Sequence, residues 1–338
     1  MTSFWVDNEG VLTGEGPTLE IDLGAGADRY ARALEAVRSS GREIAFASFT
    51  FDATEDGSVV SIPTSVRLTR GVEAVGPIPA IVSIDTGAEE WTTGFEKAML
   101  EIETGRVEKV VLARKVEVTF ESPPQASAIV ANLVPANPGC YLFSVGGLVG
   151  ASPELLVSLR DGWVKTLALA GTATDPQDLE SVKISEEHRH VSRSVMDAIT
   201  RHVKDIEITE QVIVPHGAMS HVGTRIEGPV VPGTSVATIL ADLHPTAAVA
   251  GSPTEIALDL IREIEPTSRG RYAGPVGWMN SAGDGVFAIA LRCGQLSGSR
   301  MTLFAGGGLV AGSEEDAELH ETDLKLAPMF DAIGHRPS

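Results

Sequence analysis

Cysteine is nearly missing from this chain: Cys140 and Cys293 are the two present in 338 residues, far apart and each inside an apolar, strand-like run. That excludes a disulfide framework and a thiolate metal cluster, and reads both as core residues. Positive charge is scarce as well. Against 46 acidic residues stand 26 lysines and arginines, for a formal charge of −20. The basic residues are scattered rather than gathered in a stripe, which argues against nucleic acid as a partner, because phosphate neutralisation needs a concentrated positive face. So negative a surface also repels a polyanionic ligand, so a site for a small anion needs local basic groups or a cation, which points to Mg²⁺. No run of about eighteen apolar residues spans a bilayer, and the opening Met-Thr-Ser-Phe-Trp has neither the basic nor the apolar segment of a secretory signal. A cytoplasmic protein without membrane contact is expected. With no internal repeat, low-complexity segment or long exposed heptad pattern, the expectation is a monomer built as one fold.

What is present is apolar material, 43% of residues, enough for a large core. Residues 1–75 read as irregular strands and turns around one helix at 27–39, with no chemical motif. Periodicity predicts further helices at 94–103, 124–132, 178–203, 235–243, 254–264 and 314–333. Strands are predicted at 108–119, 139–145, 148–159, 206–214, 220–230, 274–279, 285–292 and 301–310. The pair at 139–145 and 148–159 reads as a hairpin across Gly146-Gly147. Ser313 followed by Asp316 resembles a capping box and sets the start of the last helix. Hairpin-linked groups of strands with helices between them predict an α+β class, with large antiparallel sheets and helices outside.

The chemistry concentrates in the last seventy residues. Arg269-Gly-Arg-Tyr-Ala-Gly-Pro-Val-Gly-Trp278, Ala290-Leu-Arg292 and Ala305-Gly-Gly-Gly-Leu-Val310 combine glycines that admit a close backbone approach with an arginine between strands. On the last helix Glu318, Glu321 and Lys325 fall at i, i+3 and i+7, on one face. Such a triplet is ordinarily a solvated ion-paired face, but its place directly after the glycine run favours a site for a small anion and a metal. Glu187, on the long middle helix, offers a second carboxylate for a hard cation such as Mg²⁺, although by itself Glu186 or Glu187 is an ordinary surface acid. Glu154 is an acid in the apolar run Gly150-Ala-Ser-Pro-Glu154-Leu-Leu-Val157, where desolvation keeps a carboxyl protonated for general-acid work; a polar residue beside a proline at a sheet edge is the plainer alternative. Lys109 opens an apolar strand, either as a base of weakened proton affinity or as a snorkelling strand-end lysine.

Together these segments resemble the chorismate-utilising enzymes, the family of anthranilate synthase component I, aminodeoxychorismate synthase, salicylate synthase and isochorismate synthase. The resemblance runs from about Thr92 to Ile333. It rests on Lys109-Val-Val-Leu-Ala-Arg114, Ala151-Ser-Pro-Glu154, Leu169-Ala-Gly171-Thr172, Glu187-His188, Leu243-His-Pro-Thr246, Tyr272-Ala-Gly-Pro-Val-Gly-Trp278, Leu291-Arg292 and Glu318 to Lys325. It implies a variable N-terminal part of the same fold at 1–90 and a chorismate-binding catalytic region at 91–335.

Isochorismate synthases are the nearest subclass. The resemblance implies that Lys109 activates a water for attack on C2 of chorismate while Glu154 protonates the departing C4 hydroxyl. Glu187 and Glu321 would hold Mg²⁺, with Glu318 a water-mediated helper. Arg292, Lys325 and the backbone around Gly171, Thr172 and Gly306 would hold carboxylates, and His244 would line the pocket. A lysine at 109 separates these enzymes from the ammonia-using anthranilate synthases, which usually have glutamine there. Salicylate synthase, which goes on to eliminate pyruvate, is the alternative. One departure stands out: the family's His-Pro-Thr-Pro-Ala run reads His244-Pro-Thr-Ala-Ala248.

Overall fold

The computed structural model describes residues 2–72, 76–173, 182–216 and 219–335; for 170–173, 182–190, 210–211, 214–216 and 219–221 only the backbone course is described. In chain order β1 (Phe4–Asp7) and β2 (Gly10–Asp22) lead to α1 (Arg29–Ser40), followed by β3 (Ile44–Ser48), β4 (Val59–Thr69), β5 (Ile81–Asp85) and α2 (Ala88–Glu103). Then come β6 (Lys109–Phe120), α3 (Ala126–Ala136), β7 (Tyr141–Val145), β8 (Leu148–Ser152), β9 (Leu155–Arg160), β10 (Trp163–Ala173) and α4 (Val182–Ile199). The rest is β11 (Glu207–His216), β12 (Met219–Pro229), α5 (Val236–Leu243), β13 (Gly251–Ser252), α6 (Thr254–Ile264), β14 (Pro275–Asn280), β15 (Gly285–Ile289), β16 (Cys293–Ser297), β17 (Arg300–Val310) and α7 (Glu315–Ala332).

Every strand pairing is antiparallel, and the pairings join the strands into one network covered by helices, the α+β architecture the pattern predicts. Two apolar clusters fill it. The larger lies under α1, α2, α4, α5 and α6, and the smaller lies between α3, α7 and the far ends of β6 and β17. β6 serves both: Val110 and Leu112 enter the first cluster, and Val116, Val118 and Phe120 the second. These are alternate residues of one strand, as a period of two requires. β17 runs beside β6 along its full length, from Arg300 opposite Thr119 to Val310 opposite Lys109.

Several boundaries depart from the sequence pattern for identifiable reasons. The strands expected in the first seventy residues are there but more regular than predicted: β2 and β4 are long and paired, and β1 and β3 pair with β7 and β14 far along the chain. Half of β2 is exposed, so it carries no clean alternation. α2 starts six residues before the predicted 94 because Glu89 and Glu90 suit its first turn. Gly94 lets α2 pack closely on β6, since a Cβ there would lie 3.2 Å from the Leu112 side chain. Of the predicted helix 178–203, residues 178–181 lie outside the described residues, and α4 ends at Ile199. Ser313 does not cap α7: the N-cap is Glu314, without a side-chain cap bond. Finally, the predicted strand 148–159 is broken, and the predicted strand 285–292 ends at Ile289, followed from Cys293 by β16, which the pattern missed; both interruptions fall at the site.

Candidate active site

β8 and β9 are one apolar run interrupted at Pro153 and Glu154; β15 and β16 are another, interrupted at Ala290, Leu291 and Arg292. The two runs lie side by side and break at the same level. β9 pairs with β15 and β8 with β16, and across the gap the Ile289 amide donates to the Glu154 carbonyl at 3.1 Å while the Ala151 amide donates to the Arg292 carbonyl at 3.1 Å. Pro153 has no amide hydrogen to continue a ladder. Arg292 takes the left-handed conformation, φ 46°, which few non-glycine residues adopt without a reason. The acid and the arginine therefore occupy one corner, where the chain changes partners, and not a regular strand as the sequence suggested.

Both are buried, at 7% and 5% exposure. Burial raises the Glu154 carboxyl to about 8, opposed by the positive charge of Lys109. Desolvation wins, so the acid is mostly protonated at neutral pH, and the two side chains share one electrostatic neighbourhood. Lys109 is buried at the start of β6, opposite Ser252 of β13 on one edge and Val310 of β17 on the other. Arg292 is held below the usual arginine range by burial, opposed by Tyr272, Cys140 and Glu321. Its Nη1 is buried and finds no acceptor among the described residues. A buried guanidinium nitrogen left unmet by the protein is a donor suited to a ligand carboxylate.

β16 leaves β17 at the Gly294–Leu303 pair, so beyond Leu303 the second edge of β17 has no strand partner among the described residues. α7 lies along this glycine stretch. Lys325 donates to the Gly306 carbonyl at 2.7 Å and pairs with Glu321 at 2.5 Å. Glu318, 8% exposed, accepts from the Ser313 hydroxyl at 2.7 Å, and its other oxygen would sit 3.2 Å from a Cβ at Gly307. At Gly306 a Cβ would meet the Tyr272 hydroxyl at 3.0 Å. Two of the three glycines thus have local duties, one under Tyr272 and one under Glu318.

The remaining predicted residues fall as follows. Gly171 is the extra residue of a β-bulge in β10, between the pairs Ala170–Val222 and Thr172–His221. Bulges of this kind re-aim a strand beside a site. The Thr172 and Glu187 side chains lie outside the described residues; Glu187 rides on α4, which packs on β10. His244 is buried with both ring nitrogens engaged, Nε2 donating to the Ala273 carbonyl at 3.0 Å and Nδ1 accepting from the Tyr30 hydroxyl at 3.1 Å. Burial lowers it to about 3, so it is neutral. It braces its loop and has no ring nitrogen to spare for a substrate.

Sequence reading missed Tyr30, from the part thought free of chemistry, which holds His244 and accepts from Arg29 at 2.8 Å. It also missed Ser313 as the residue that orients Glu318. A hydroxyl five positions before an acid at a helix start was the available signal.

Among the described residues no three His, Cys, Asp or Glu side chains gather into a metal centre. Glu318 and Glu321 nevertheless supply hard oxygen donors on one helix face beside a backbone kept open by Gly307. That donor chemistry suits Mg²⁺, which commonly takes one or two carboxylates and completes its shell with water and substrate.

A chemical class emerges from a protonated buried acid beside a lysine, an unmet arginine and an acidic helix face, and comparison with known proteins places it. The family model described as "Chorismate binding enzyme" matches residues 72–334, and the chain belongs to that family. It is 36% identical over 262 residues to the isochorismate synthase MenF of Bacillus subtilis, a match covering 73% of this chain and 56% of that protein. The chain thus spans little more than half the length of that relative. With the isochorismate synthase DhbC of the same organism it shares 30% identity over 346 residues, 90% of this chain and 85% of that protein. The crystal structure of DhbC from Bacillus anthracis superposes with a TM-score of 0.88 at 26% identity, covering 99% of this chain and 96% of that one.

Proposed function

We propose that this protein is an isochorismate synthase, an isomerase that adds water at C2 of chorismate as the C4 hydroxyl departs. The observation that carries the reading is the pair Lys109 and Glu154: both are buried, their charges act on one another, and the acid is held protonated to about pH 8. Lys109 takes a proton from the attacking water, the new C–O bond forms at C2, the ring double bonds shift, and the C4–O bond breaks. Glu154 gives its proton to the leaving hydroxyl, which departs as water. One water enters and one leaves, so substrate and product are isomers. A general acid and a general base each contribute about 10²–10⁴-fold when so placed.

Arg292 and Lys325, with the backbone at Gly171, Thr172 and Gly306, anchor the substrate carboxylates. His244 shapes the pocket wall. Glu187 and Glu321, helped by Glu318, would hold Mg²⁺, which when bound neutralises a substrate carboxylate within an acidic protein. Residues 91–335 form the chorismate-binding region and 1–90 complete the same fold. The kinship with chorismate-binding enzymes supports a small-molecule substrate, and the reading takes the protein to be a cytoplasmic monomer. No helix among the described residues is long and apolar enough to cross a membrane.

The test is incubation with chorismate and Mg²⁺ followed by chromatography. Isochorismate as the main product is the expected result. Salicylate with pyruvate would make the protein a salicylate synthase, and unchanged chorismate would remove the activity altogether.

A further inference from the structure

Of the two edges of β6, β17 covers one from Lys109 to Thr119. The other is covered in pieces. β13 and the residue before it reach as far as Val111, whose amide donates to the Ala250 carbonyl at 2.9 Å, and β5 resumes only at Glu117. Between them lies a largely buried stretch with no strand on this edge among the described residues, where unpaired backbone groups are costly.

Two side chains fill that stretch. Arg269 Nη2 donates to the Val111 carbonyl at 2.5 Å, and Glu265 Oε1 accepts from the Ala113 amide at 2.8 Å. The pair is joined by a fork, with Nε 2.9 Å and Nη2 2.5 Å from the carboxylate, and both side chains are almost wholly buried. The guanidinium also lies over the Phe51 ring at 4.4 Å and donates through Nη1 to the Val249 carbonyl at 3.0 Å. Val249 belongs to the loop that begins at His244. One cation therefore ties the strand that opens with Lys109 to the loop that follows His244, and its carboxylate partner continues the ladder of that strand.

We propose that Arg269, seated on Glu265, is a positioning residue for the reaction: the ion pair stands in for a missing strand and fixes Lys109 relative to the loop after His244. This rests on the role given to Lys109 above. Lysine at 269 keeps the charge but lacks the planar fork, so it cannot serve Glu265, Val111 and Val249 at once.

Arg269→Lys should lower kcat by about 10–100-fold, the scale of a small misplacement of a catalytic group. KM for chorismate should change less than about threefold, because Arg292 and Lys325 are untouched. Removing one partner of a buried pair can unfold a chain, whereas replacing both with apolar residues is often tolerated. The double variant Arg269→Met with Glu265→Met therefore supplies a second reading of kcat per folded enzyme, with folding followed by circular dichroism. Glu265→Gln keeps an acceptor for the Ala113 amide but removes the charge that seats the buried guanidinium, so its kcat should fall as well. A kcat within about threefold of wild type in both arginine variants would overturn the inference while leaving the proposed activity standing. A wild-type enzyme that makes no isochorismate would remove both.

Discussion

Glu154→Gln should destroy activity and at the same time stabilise the fold, by an amount that depends on pH in a calculable way. The carboxyl rises from 4.5 to about 8 through burial, which outweighs the charge of Lys109. A tenfold change in proton affinity is worth about 1.4 kcal/mol, so ionising this acid in the folded chain costs about 5 kcal/mol more than in the unfolded one. Below pH 4.5 both states carry the proton and the group makes no difference. Between 4.5 and about 8 the unfolded chain releases it and the folded chain keeps it, so stability falls as pH rises, and above about 8 the loss is complete. Glutamine keeps the shape and never ionises.

The variant should thus exceed wild type by about 1 kcal/mol at pH 5.5, about 3 at pH 7 and about 5 above pH 8, all other groups cancelling in the difference. Urea unfolding followed by tryptophan fluorescence at these three values measures it. Wild-type kcat/KM should fall on the alkaline side with an apparent pKa near 8, as the acid of the free enzyme loses its proton. A stability difference that stays constant across the range would mean that Glu154 is ionised in the folded enzyme. Its role as the proton donor would then be refuted, whatever product the enzyme makes.

Other expectations are simpler to state. Lys109→Ala should cut turnover by about 10²–10⁴-fold with the fold retained, and near-normal turnover would exclude it as the base. Arg292→Lys should raise KM for chorismate about tenfold or more, since an ammonium cannot replace the fork whose Nη1 is unmet; an unchanged KM would mean that the substrate carboxylate binds elsewhere. Glu321→Ala should weaken the apparent Mg²⁺ affinity in a titration of activity, and chelation should abolish turnover of the wild type. Ser313→Ala, which removes one hydrogen bond to Glu318, should lower Mg²⁺ affinity less than Glu321→Ala and cost about 1 kcal/mol of stability, both readable in melts with and without the ion.

Local sequence carried the identity of the chemical groups well, because acids, lysines and glycines in apolar runs are departures that burial must explain. Glu154 stood out as a charge among aliphatic residues, and the structure buries it. Helices with clean periodicity, such as α5 and α6, were legible nearly to the residue. What one dimension hides is anything decided by distant pairing. The break at Glu154 gave no local signal beyond Pro153, and the break at Arg292 gave none, because each is set by the other: Gly150 faces Cys293 across β8 and β16, residues far apart in the chain. A Cβ at Gly150 would lie 2.4 Å from that of Cys293, so this glycine, read as an ordinary member of a strand, allows the two runs to close at their common corner.

The same reasoning explains why the N-terminal part looked chemically silent. Its strands carry little alternation, and what it contributes near the site works across long sequence distances: Tyr30 acts on His244 through a hydrogen bond across 214 residues, and Phe51 lies under Arg269. The neutral His244 that results has both nitrogens spent, so the loop it begins is held from behind by Tyr30 and from the side by Arg269. Alanines at 247 and 248 do not leave this loop slack: the Val249 and Ala250 amides both return to the Thr246 carbonyl. The loop owes its shape to these internal hydrogen bonds and to the buried cation beside it.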